Sequence, residues 1–334
     1  MIRRVENYDL TAHNTFGLKV KCALFVEYDS AADVEQIDFA SLPQPLLHIG
    51  AGSNLLFTRD FPGTVLHSAI NFVKYIDMGI DSVLMAVGAG VVFDDFVAKA
   101  CEAGYWGAEN LSLIPGEVGA AAVQNIGAYG VEAAQIISGV VCYDLLQKCK
   151  TVFKTPELAY CYRDSMFKHY RGRYIVTSVL FRLTRNYSPK LDYGGVRAAF
   201  GGVPPQTPQE VRDAIIRIRR EKLPDPAEKG SAGSFFKNPV ISREQFLGTP
   251  SLADAPHYDL PDGDVKVPAA WLIDSCGFKG ATEGGAAVYQ KQPLVLVNET
   301  GSATAADIIA LENRIIDAVR SRFGITLSPE VDHI

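Results

Sequence analysis

The sequence predicts an α+β fold in two or three domains. Its candidate strands and helices do not alternate regularly, which argues against a doubly wound parallel sheet. Short apolar runs alternate with glycine-rich segments in the first third, whereas long amphipathic helices stand in the second half. With 334 residues, of which 48% are hydrophobic, the chain is too long for one small domain.

The first half of the chain contains candidate strands and one clear helix. The run PLLHI ends at Ile49 in a glycine-rich turn, as a buried strand does. Asp94 or Asp95 begins a helix that ends before Gly104. Two β-rich runs predict a hairpin over 139–154. The predicted strands are 45–49, 63–66, 83–87 and 173–183, and the predicted helix is 94–103.

Helix signals are stronger in the second half. Thr207 and Glu210 have capping-box spacing around Pro208, so a helix begins there and ends before Pro224. A later amphipathic run ends at Gly324, a residue type favoured at helix ends. The other predicted elements are helices over 268–276 and 305–323 and strands over 286–289 and 294–298.

The composition argues against several classes of protein. The net charge is -6, whereas nucleic-acid-binding and membrane-surface proteins usually carry a basic patch. The amino-terminal segment lacks an apolar run of the signal-peptide type, and no window approaches a membrane span. We therefore expect a cytoplasmic protein that binds neither nucleic acid nor membrane. Separately, we expect it to be a monomer.

Cysteine and histidine show no metal-ligand spacing. The six cysteines form no CxxC pair, and the six histidines form no HExxH motif. We expect reduced cysteines in the core and no metal site.

Glycine-rich segments could place bare backbone against a ligand. Residues 50–55 (GAGSNL) and 88–93 (GAGVVF) lack the third glycine of the dinucleotide fingerprint, and no P-loop occurs. The first could form an anion site or simply a turn that ends a strand. Residues 113–130 (LIPGEVGAAAVQNIGAYG) could lie flat against a ligand or pack under a sheet. A flavin with its diphosphate would explain the segments at 50 and 113 together.

Two further segments have both a structural and a functional interpretation. Residues 230–239 (GSAGSFFKNP) set two serines on nearly bare backbone beside two phenylalanines, as in a surface loop or a site. The helix that begins at Pro208 ends in the basic residues Arg217, Arg219, Arg220 and Lys222. These residues could complement the helix dipole or reach a phosphate.

Taken together, the motifs match one family in order. They are HNTFGL, GAGSNLLF, ENLSLIPGEVGAAAVQNIGAYG, YRDSMFK, KLPDP, GSAGSFFKNP, AAWLID, GGAAVY and SPEV, and they span residues 13–331. On these motifs the chain resembles the UDP-N-acetylenolpyruvoylglucosamine reductases. These flavoenzymes complete UDP-N-acetylmuramate for bacterial peptidoglycan, on which cell shape and division depend. The segment LDYGG around Tyr193 resembles the tyrosine loop of the family's first type.

The resemblance implies an FAD-binding module of the vanillyl-alcohol-oxidase type in two lobes, plus a smaller α+β substrate-binding domain. It places residues 1–67 and 320–334 in the first lobe, 68–218 in the second, and 219–319 in the substrate domain. It also implies noncovalent FAD, NADPH as co-substrate and UDP-N-acetylglucosamine enolpyruvate as substrate.

The resemblance also implies a reaction. NADPH gives hydride to the flavin and leaves, and the enolpyruvyl group then takes up the hydride and a proton. Ser234 matches the proton donor, Arg163 the group that neutralises the developing enolate, and Glu330 the group that orients the substrate. Without the resemblance, Arg163 could belong to a surface pair with Asp164, and Glu330 could be a solvated acid.

The binding residues carry over by position, with one departure. The family often has serines where this chain has Ala120 and Ala121, so neither is carried over as a ligand. The expected cofactor residues are Gly50, Gly52, Ser53, Asn54, Leu55, Ile114, Pro115, Gly116, Gly119, Asn125, Gly127, Ala128, Tyr129 and Arg219. The expected substrate residues are Tyr162, Tyr193, Lys222, Asn238, Tyr258, Lys279 and Gln292.

Two alternatives remain open at this point. A flavin oxidase of the same fold, acting on an alcohol or a sugar, would often tether its cofactor through histidine or cysteine, and neither glycine cluster contains one. A sugar-nucleotide-binding protein without catalysis would not need Arg163, Ser234 and Glu330. A protein without flavin colour would favour the second alternative.

Overall fold

The computed structural model describes residues 1–334, apart from the surroundings of residues 78 and 194, and divides them into two compact units. Unit 1 comprises residues 1–8, 22–51 and 61–219, and unit 2 comprises residues 9–21, 52–60 and 220–334. Each unit combines sheets with helices, which confirms the α+β class. The division into two lobes and a substrate domain stays a prediction.

The strands are short and spread over the whole chain. They are β1 (Ile2–Asp9), β2 (Lys21–Tyr28), β3 (Leu46–Ile49), β4 (Leu55–Leu56), β5 (Phe61–Ser68), β6 (Val73–Met78), β7 (Ser82–Gly88), β8 (Gly127–Ala128), β9 (Val131–Glu132), β10 (Ile137–Asp144), β11 (Cys149–Lys154), β12 (Tyr174–Thr184), β13 (Ser231–Ser234), β14 (Val240–Ile241), β15 (Tyr258–Asp259), β16 (Val265–Lys266), β17 (Thr282–Glu283), β18 (Ala286–Val288), β19 (Val295–Asn298) and β20 (Asp332–His333).

The α-helices include the long ones that the sequence predicts. They are α1 (Ala31–Gln36), α2 (Phe93–Glu102), α3 (Val118–Gln124), α4 (Met166–His169), α5 (Gly194–Ala198), α6 (Pro208–Lys222), α7 (Arg243–Gly248), α8 (Ala269–Ser275) and α9 (Ala305–Phe323).

Unit 1 is built on a five-stranded antiparallel sheet in the order β11-β10-β12-β7-β6. The predicted hairpin is β10 and β11, and the predicted strand over 173–183 is β12. One face packs on α2, α3 and α4, where Phe96 and Phe181 stack with ring centroids 4.2 Å apart. On the other face Tyr143 and Ile175 join the core of β2 and α1. Because both faces are covered, the central strands are mostly apolar.

A second sheet of unit 1, in the order β1-β2-β5-β3, positions the first glycine segment. Strands β2 and β3 each pair in parallel with β5, so their carboxyl ends meet at one edge. The chain leaves β3 at Ile49 and enters Gly50 at that edge, where open α/β sheets commonly bind ligands. The strands predicted over 45–49 and 63–66 are confirmed.

Helix α6 begins with one of the two bonds that the predicted capping box implies, and the second bond shifts by one residue. The Glu210 amide donates to Thr207 Oγ1 at 3.2 Å, and the Glu210 carboxylate accepts from the Gln206 amide at 2.7 Å. Its apolar face packs Val211 and Ile215 against the buried Trp106 indole. Burying each of these side chains contributes about 1.5–3 kcal/mol, which holds the helix on unit 1.

Unit 2 joins the carboxyl-terminal half to two short earlier segments. Its main sheet has the order β13-β19-β18-β17, and a smaller one has the order β14-β16-β15. The predicted strands near 286 and 294 are β18 and β19, and the predicted helices are α8 and α9. The terminal strand β20 pairs in parallel with β4, which follows the segment GAGSN.

The cysteines only partly follow the sequence prediction. Cys22, Cys101 and Cys142 are buried, whereas Cys149 and Cys161 are exposed, so the expected core placement is wrong for the last two. Burial raises the pKa of Cys22 to about 11 and that of Cys101 to about 12, which keeps both thiols protonated at neutral pH.

The described part of the chain shows neither a membrane nor a metal signature. None of its helices combines the length and the apolar character that a membrane crossing requires. Within the same residues, no group of three or more His, Cys, Asp and Glu side chains is placed to hold a metal ion.

The amino terminus of α9 offers a test of local stability. Thr304 Oγ1 accepts from the Asp307 amide at 3.2 Å, so Thr304→Ala should lower the free energy of unfolding by about 1 kcal/mol. Chemical denaturation measures the change. Ser302→Ala is the matched control, since its hydroxyl meets that of exposed Thr300 and caps no helix. Equal losses in the two variants would contradict the capping role.

Candidate functional site

The segment LIPGEVG is fastened to the second glycine segment, GAGVVF. The Phe93 amide donates to the Gly116 carbonyl, and the Gly119 amide donates to the Ala89 carbonyl, both at 2.9 Å. A Cβ on Gly119 would lie only 2.9 Å from the Ala89 Cβ, so glycine permits this approach. GAGVVF therefore supports residues 113–130, the segment predicted to lie against the flavin, which is called the flavin loop below. Its lack of the dinucleotide fingerprint gives no sign of this supporting role.

Left-handed backbone conformations recur through the predicted site segments of unit 1. The φ angles are 58° at Leu113, 46° at Asn125, 50° at Tyr129 and 56° at Arg163. Non-glycine residues adopt this conformation at a cost and keep it where the surroundings fix them. Such strain concentrates at binding and catalytic sites, and here it lies within the LIPG, QNIGAYG and YRDS motifs.

The Asn125 side chain ties these loops together. Its Nδ2 donates to the Cys161 carbonyl at 2.8 Å and to Glu132 Oε2 at 3.0 Å, while its Oδ1 accepts from the Ala134 amide at 3.0 Å. Asn125 is fully buried. Its side-chain amide is fully used in bonds within the protein, so Asn125 supports the shape of the predicted flavin loop.

Arg163 lies against the QNIGAYG loop. Its Nη2 donates to the Gly127 carbonyl at 2.6 Å, and its guanidinium carbon stands 5.2 Å from the centre of the Tyr162 ring. A Cβ on Gly127 would lie 2.9 Å from Arg163 Nη1, so this glycine leaves room for the cation. The neighbouring Asp164 accepts from His169 Nε2 at 2.8 Å. Unit 1 thus brings the predicted enolate-neutralising group beside the predicted cofactor loop.

Tyr129, Tyr193 and Arg219 form a second part of the site in unit 1. The two tyrosine rings meet edge to face with centroids 5.5 Å apart. Burial raises the pKa of the Tyr129 hydroxyl, against the opposing effect of the Arg219 charge. Burial also lowers the pKa of Arg219, which hydrogen-bonds Tyr129. The predicted substrate-capping tyrosine is therefore in contact with a predicted cofactor residue.

Several buried polar atoms of unit 1 fit a flavin. Among the described residues, Gln124 Oε1 and Arg219 Nε are buried and have no hydrogen-bond partner. A flavin ring carries both N–H and carbonyl groups, which could satisfy an acceptor and a donor of this kind. The bare backbone at Gly50 adds a close approach, since a Cβ there would lie 3.1 Å from the Ala120 Cβ. Gln124 is not among the cofactor residues expected from the sequence, although it lies within the motif QNIG.

Another missed group stands beside Gly50. Glu117 Oε1 contacts His67 Nε2 at 3.0 Å, and His67 Nδ1 contacts Glu27 Oε2, also at 3.0 Å. A Cβ on Gly50 would lie 3.2 Å from Glu117 Oε2. Burial alone would lower the pKa of His67, but Glu117 and then Glu27 raise it. A protonated His67 would therefore balance acidic charge next to the predicted diphosphate segment.

Unit 2 brings Ser234 and Glu330 together through the backbone. The Glu330 amide donates to the Phe235 carbonyl at 2.8 Å, which places the two predicted catalytic residues on adjacent extended segments. Asn54 Nδ2 donates to the Glu330 carbonyl at 3.0 Å. Ser234 is exposed, whereas the Phe235 ring is fully buried and anchors the strand. The predicted proton donor thus sits at the surface of a rigid element.

The rest of GAGSN in unit 2 depends on one glycine. Gly52 has φ 67°, and a Cβ there would collide with the His13 carbonyl of the HNTFGL motif. The Thr15 amide donates to the Gly52 carbonyl at 3.2 Å. Leu55 then pairs with Asp332 in the β4–β20 ladder. Two motifs that are distant in sequence therefore hold the predicted cofactor residues Gly52, Ser53, Asn54 and Leu55.

The predicted substrate residues of unit 2 have mixed roles. Asn238 Oδ1 accepts from the Ala269 amide at 2.9 Å, so it caps the start of α8. Lys279 Nζ lies 3.6 Å from Asp274 Oδ2 near the end of the same helix. The remaining three are Gln292 in the turn before β19, Tyr258 on β15 and Lys222 at the end of α6, of which Tyr258 and Lys222 are exposed.

Comparison with known proteins decides the family. Residues 225–334 match the carboxyl-terminal domain of UDP-N-acetylenolpyruvoylglucosamine reductase, and residues 23–146 match the FAD binding domain family. Proteins of that reductase name from Bacteroides fragilis strain YCH46 and Porphyromonas gingivalis strain ATCC 33277 are 48% and 45% identical to the chain. They match 98% of it and 99% and 98% of their own lengths. The chain belongs to the UDP-N-acetylenolpyruvoylglucosamine reductase family.

The fold agrees with this family membership. A crystal structure of UDP-N-acetylenolpyruvylglucosamine reductase from Thermus caldophilus matches with a TM-score of 0.69 at 24% identity, covering 100% of this chain and 98% of that one. In this member of the reductase family, the residues that match the FAD binding domain family include the parallel strands β3 and β5 and the LIPGEVG loop. The resemblance and the FAD cofactor inferred from the sequence are therefore confirmed, while the roles of single residues stay predictions.

The charge on His67 gives a prediction for the pH dependence of stability. Its pKa is raised above the ordinary 6.5, so its contribution to stability is fully present below pH 6.5 and is lost as the pH rises through the raised value. His67→Gln removes the charge. The melting temperature of the variant should lie further below that of the unmodified protein at pH 6 than at about pH 8.5. Thermal unfolding at the two pH values measures this difference.

His48 supplies a control with the opposite sign. His48 is exposed overall, but its ring contacts the hydroxyl of the buried Tyr28 at 2.6 Å. The loss of water on that side of the ring, and then the nearby His67, lower its pKa. The protein must keep His48 neutral, so its unfavourable contribution grows as the pH falls below 6.5. The loss caused by His48→Gln should therefore be smaller at pH 6 than at about pH 8.5. The same trend in both variants would contradict the charge assignment at His67.

Proposed function

We propose that the chain reduces UDP-N-acetylglucosamine enolpyruvate to UDP-N-acetylmuramate, with NADPH as the reductant and FAD held noncovalently. The observation that carries this proposal is the backbone pairing of the Ser234 and Glu330 segments. It supports a fixed acid next to a fixed carboxylate in a chain of the reductase family. The left-handed loops of unit 1, with Arg163 among them, support the same chemistry.

The chain's own residues would direct the substrate and the proton. When bound, FAD supplies the chemistry that passes hydride from NADPH to the enolpyruvyl group. Ser234 Oγ would donate the proton to the inner enolpyruvyl carbon, because it is exposed while its strand neighbours are anchored. The Arg163 fork would offset the charge that develops on the substrate carboxylate. Glu330 would hold the substrate in orientation.

The finer assignments follow from the same chemistry. Cofactor contacts would come from the backbone of residues 50–55 and 114–129 and from Arg219, and Tyr162 and Tyr193 would lie at the substrate. Because this chain has Ala120 and Ala121 where hydroxyls are common in the family, backbone amides would contribute more. The protein would act in the cytoplasm, where NADPH and UDP-sugars are available, and as a monomer.

Anaerobic half-reactions test the proposal. NADPH should bleach the visible absorbance of the flavin. UDP-N-acetylglucosamine enolpyruvate should then restore that absorbance and yield UDP-N-acetylmuramate. Restoration by an alcohol or a sugar would instead favour an oxidase of the same fold. A purified protein that carries no flavin would favour a binding protein without catalysis.

Ser234→Ala separates the two half-reactions. Bleaching by NADPH should stay near the rate of the unmodified protein, because that step uses no proton from Ser234. Restoration by the enolpyruvyl substrate should slow by roughly 10²–10⁴-fold, the usual contribution of a positioned acid. Stopped-flow absorbance measures both steps.

Ser231 is the matched control on the same strand. It is buried, and its amide donates to the Thr15 carbonyl at 2.9 Å. In Ser231→Ala, the enolpyruvyl substrate should restore the flavin absorbance at a rate close to that in the unmodified protein. A normal rate in Ser234→Ala together with a slow rate in Ser231→Ala would show that the proton donor is wrongly assigned.

A further inference from the structure

Asp94 and Arg212 form a largely buried ion pair in unit 1 that no assigned role uses. Arg212 Nη1 donates to Asp94 Oδ1 at 2.5 Å, and Nη2 donates to Oδ2 at 2.9 Å. The side chains are 10% and 21% exposed for Arg212 and Asp94. Paired, charge-assisted hydrogen bonds of this kind fix direction as well as distance, because both ends of each planar group are held.

Asp94 also binds the first residue of the predicted flavin loop. Its Oδ1 accepts from the Leu113 amide at 2.5 Å. Leu113 has φ 58° and directly precedes Ile114, Pro115 and Gly116. A left-handed backbone is unfavourable for leucine unless its neighbours compensate. The bond to Asp94 holds Leu113 in that conformation and so fixes where the loop begins.

Arg212 connects the same carboxylate to a predicted cofactor residue. Arg212 and Arg219 lie about two turns apart on α6, so they face the same side of the helix. Arg219 hydrogen-bonds Tyr129, and its Nε is buried with no partner among the described residues. The ion pair therefore fixes the end of α6 from which Arg219 extends, as well as the start of the loop.

We propose that the Asp94–Arg212 pair positions the flavin by holding the 113–116 loop and the Arg219 guanidinium in one fixed arrangement. The proposal rests on the flavin site proposed above. It makes both members positioning residues, since they act on the cofactor through Leu113 and Arg219. It predicts that the pair affects the affinity and the absorption spectrum of the flavin, besides the stability of the fold.

The charge state of the pair agrees with this role. Burial would raise the pKa of Asp94, but Arg212, the Leu113 amide and the more distant Arg219 hold it below its ordinary value. The carboxylate therefore stays charged at neutral pH and can accept from the guanidinium and the amide together. Removing its charge leaves Arg212 without its counterion in a largely buried position, so the whole arrangement should loosen.

The same unit contains a matched pair for comparison. Asp144, buried on β10, accepts from Arg173 Nη2 at 2.8 Å and from the Leu146 amide at 2.9 Å. It therefore combines an arginine fork with a backbone amide, as Asp94 does. Asp144 supports the turn between β10 and β11, away from the flavin loop, so it reports the purely structural cost of breaking such a pair.

The test compares Asp94→Asn and Arg212→Lys with Asp144→Asn and Arg173→Lys. The dissociation constant for FAD is measured by quenching of flavin fluorescence, the flavin environment by the visible spectrum, and stability by thermal unfolding of the apoprotein. We expect all four variants to lose stability. Asp94→Asn should also weaken FAD binding by about tenfold or more and shift the spectrum, because charge-assisted bonds of this kind are strong.

Arg212→Lys, which keeps the charge but not the fork, should weaken binding less than Asp94→Asn. Asp144→Asn and Arg173→Lys should bind FAD within about twofold of the unmodified protein, as expected for an independent site. Unchanged affinity and spectrum in both Asp94→Asn and Arg212→Lys would overturn the proposal, as would equal losses in the Asp144 pair. If Asp94→Asn fails to fold, Arg212→Lys alone decides. Failure of the unmodified protein to bind FAD would instead refute the flavin site itself.

Discussion

The left-handed backbone at Leu113, Asn125, Tyr129 and Arg163 is the constraint on which the site in unit 1 depends. None of these conformations is favourable for a side-chain-bearing residue, so each needs bonds that hold it. Leu113 bonds to Asp94, and the Tyr129 carbonyl accepts from Asn110 Nδ2 at 2.9 Å. The Asn125 amide group and the Arg163 guanidinium provide their own bonds. The polar residues around the loops therefore hold the backbone in conformations that let uncovered backbone groups contact a ligand.

This arrangement explains why small residues and fixed polar groups occur together in the motifs. Gly119 and Gly127 allow backbone or side chains to approach where a Cβ would stand too close. The short helix α3, which contains Gly119, buries Ala121 and Ala122 and leaves Gln124 Oε1 without a hydrogen-bond partner. In unit 2, Gly52 plays the corresponding part, since the neighbouring motif crosses directly over it. The proposed cofactor contacts therefore depend largely on the shape of the backbone.

Local signals in the sequence predicted the regular elements well. Helix α6 begins with the bond between the Glu210 amide and Thr207 Oγ1 that its capping residues imply, and α9 ends at Gly324 with φ 66°. The loops that the family motifs mark out stay the predicted site. What the sequence could not provide were contacts between distant segments, such as Asp94 with Arg212 or Asn54 with Glu330. No periodicity or local propensity encodes these pairs. The bond by which Asn238, a predicted substrate residue, caps α8 is another contact between distant segments.

The central claim is that residues 114–129 hold the flavin on strained but preformed backbone. A crystal structure of the protein with FAD bound tests it most directly. The account predicts that the isoalloxazine ring lies against these residues, that Gln124 or Arg219 acquires a flavin partner, and that Leu113, Tyr129 and Arg163 keep positive φ angles. A ring bound elsewhere, or loops that relax to negative φ angles around it, would contradict the account.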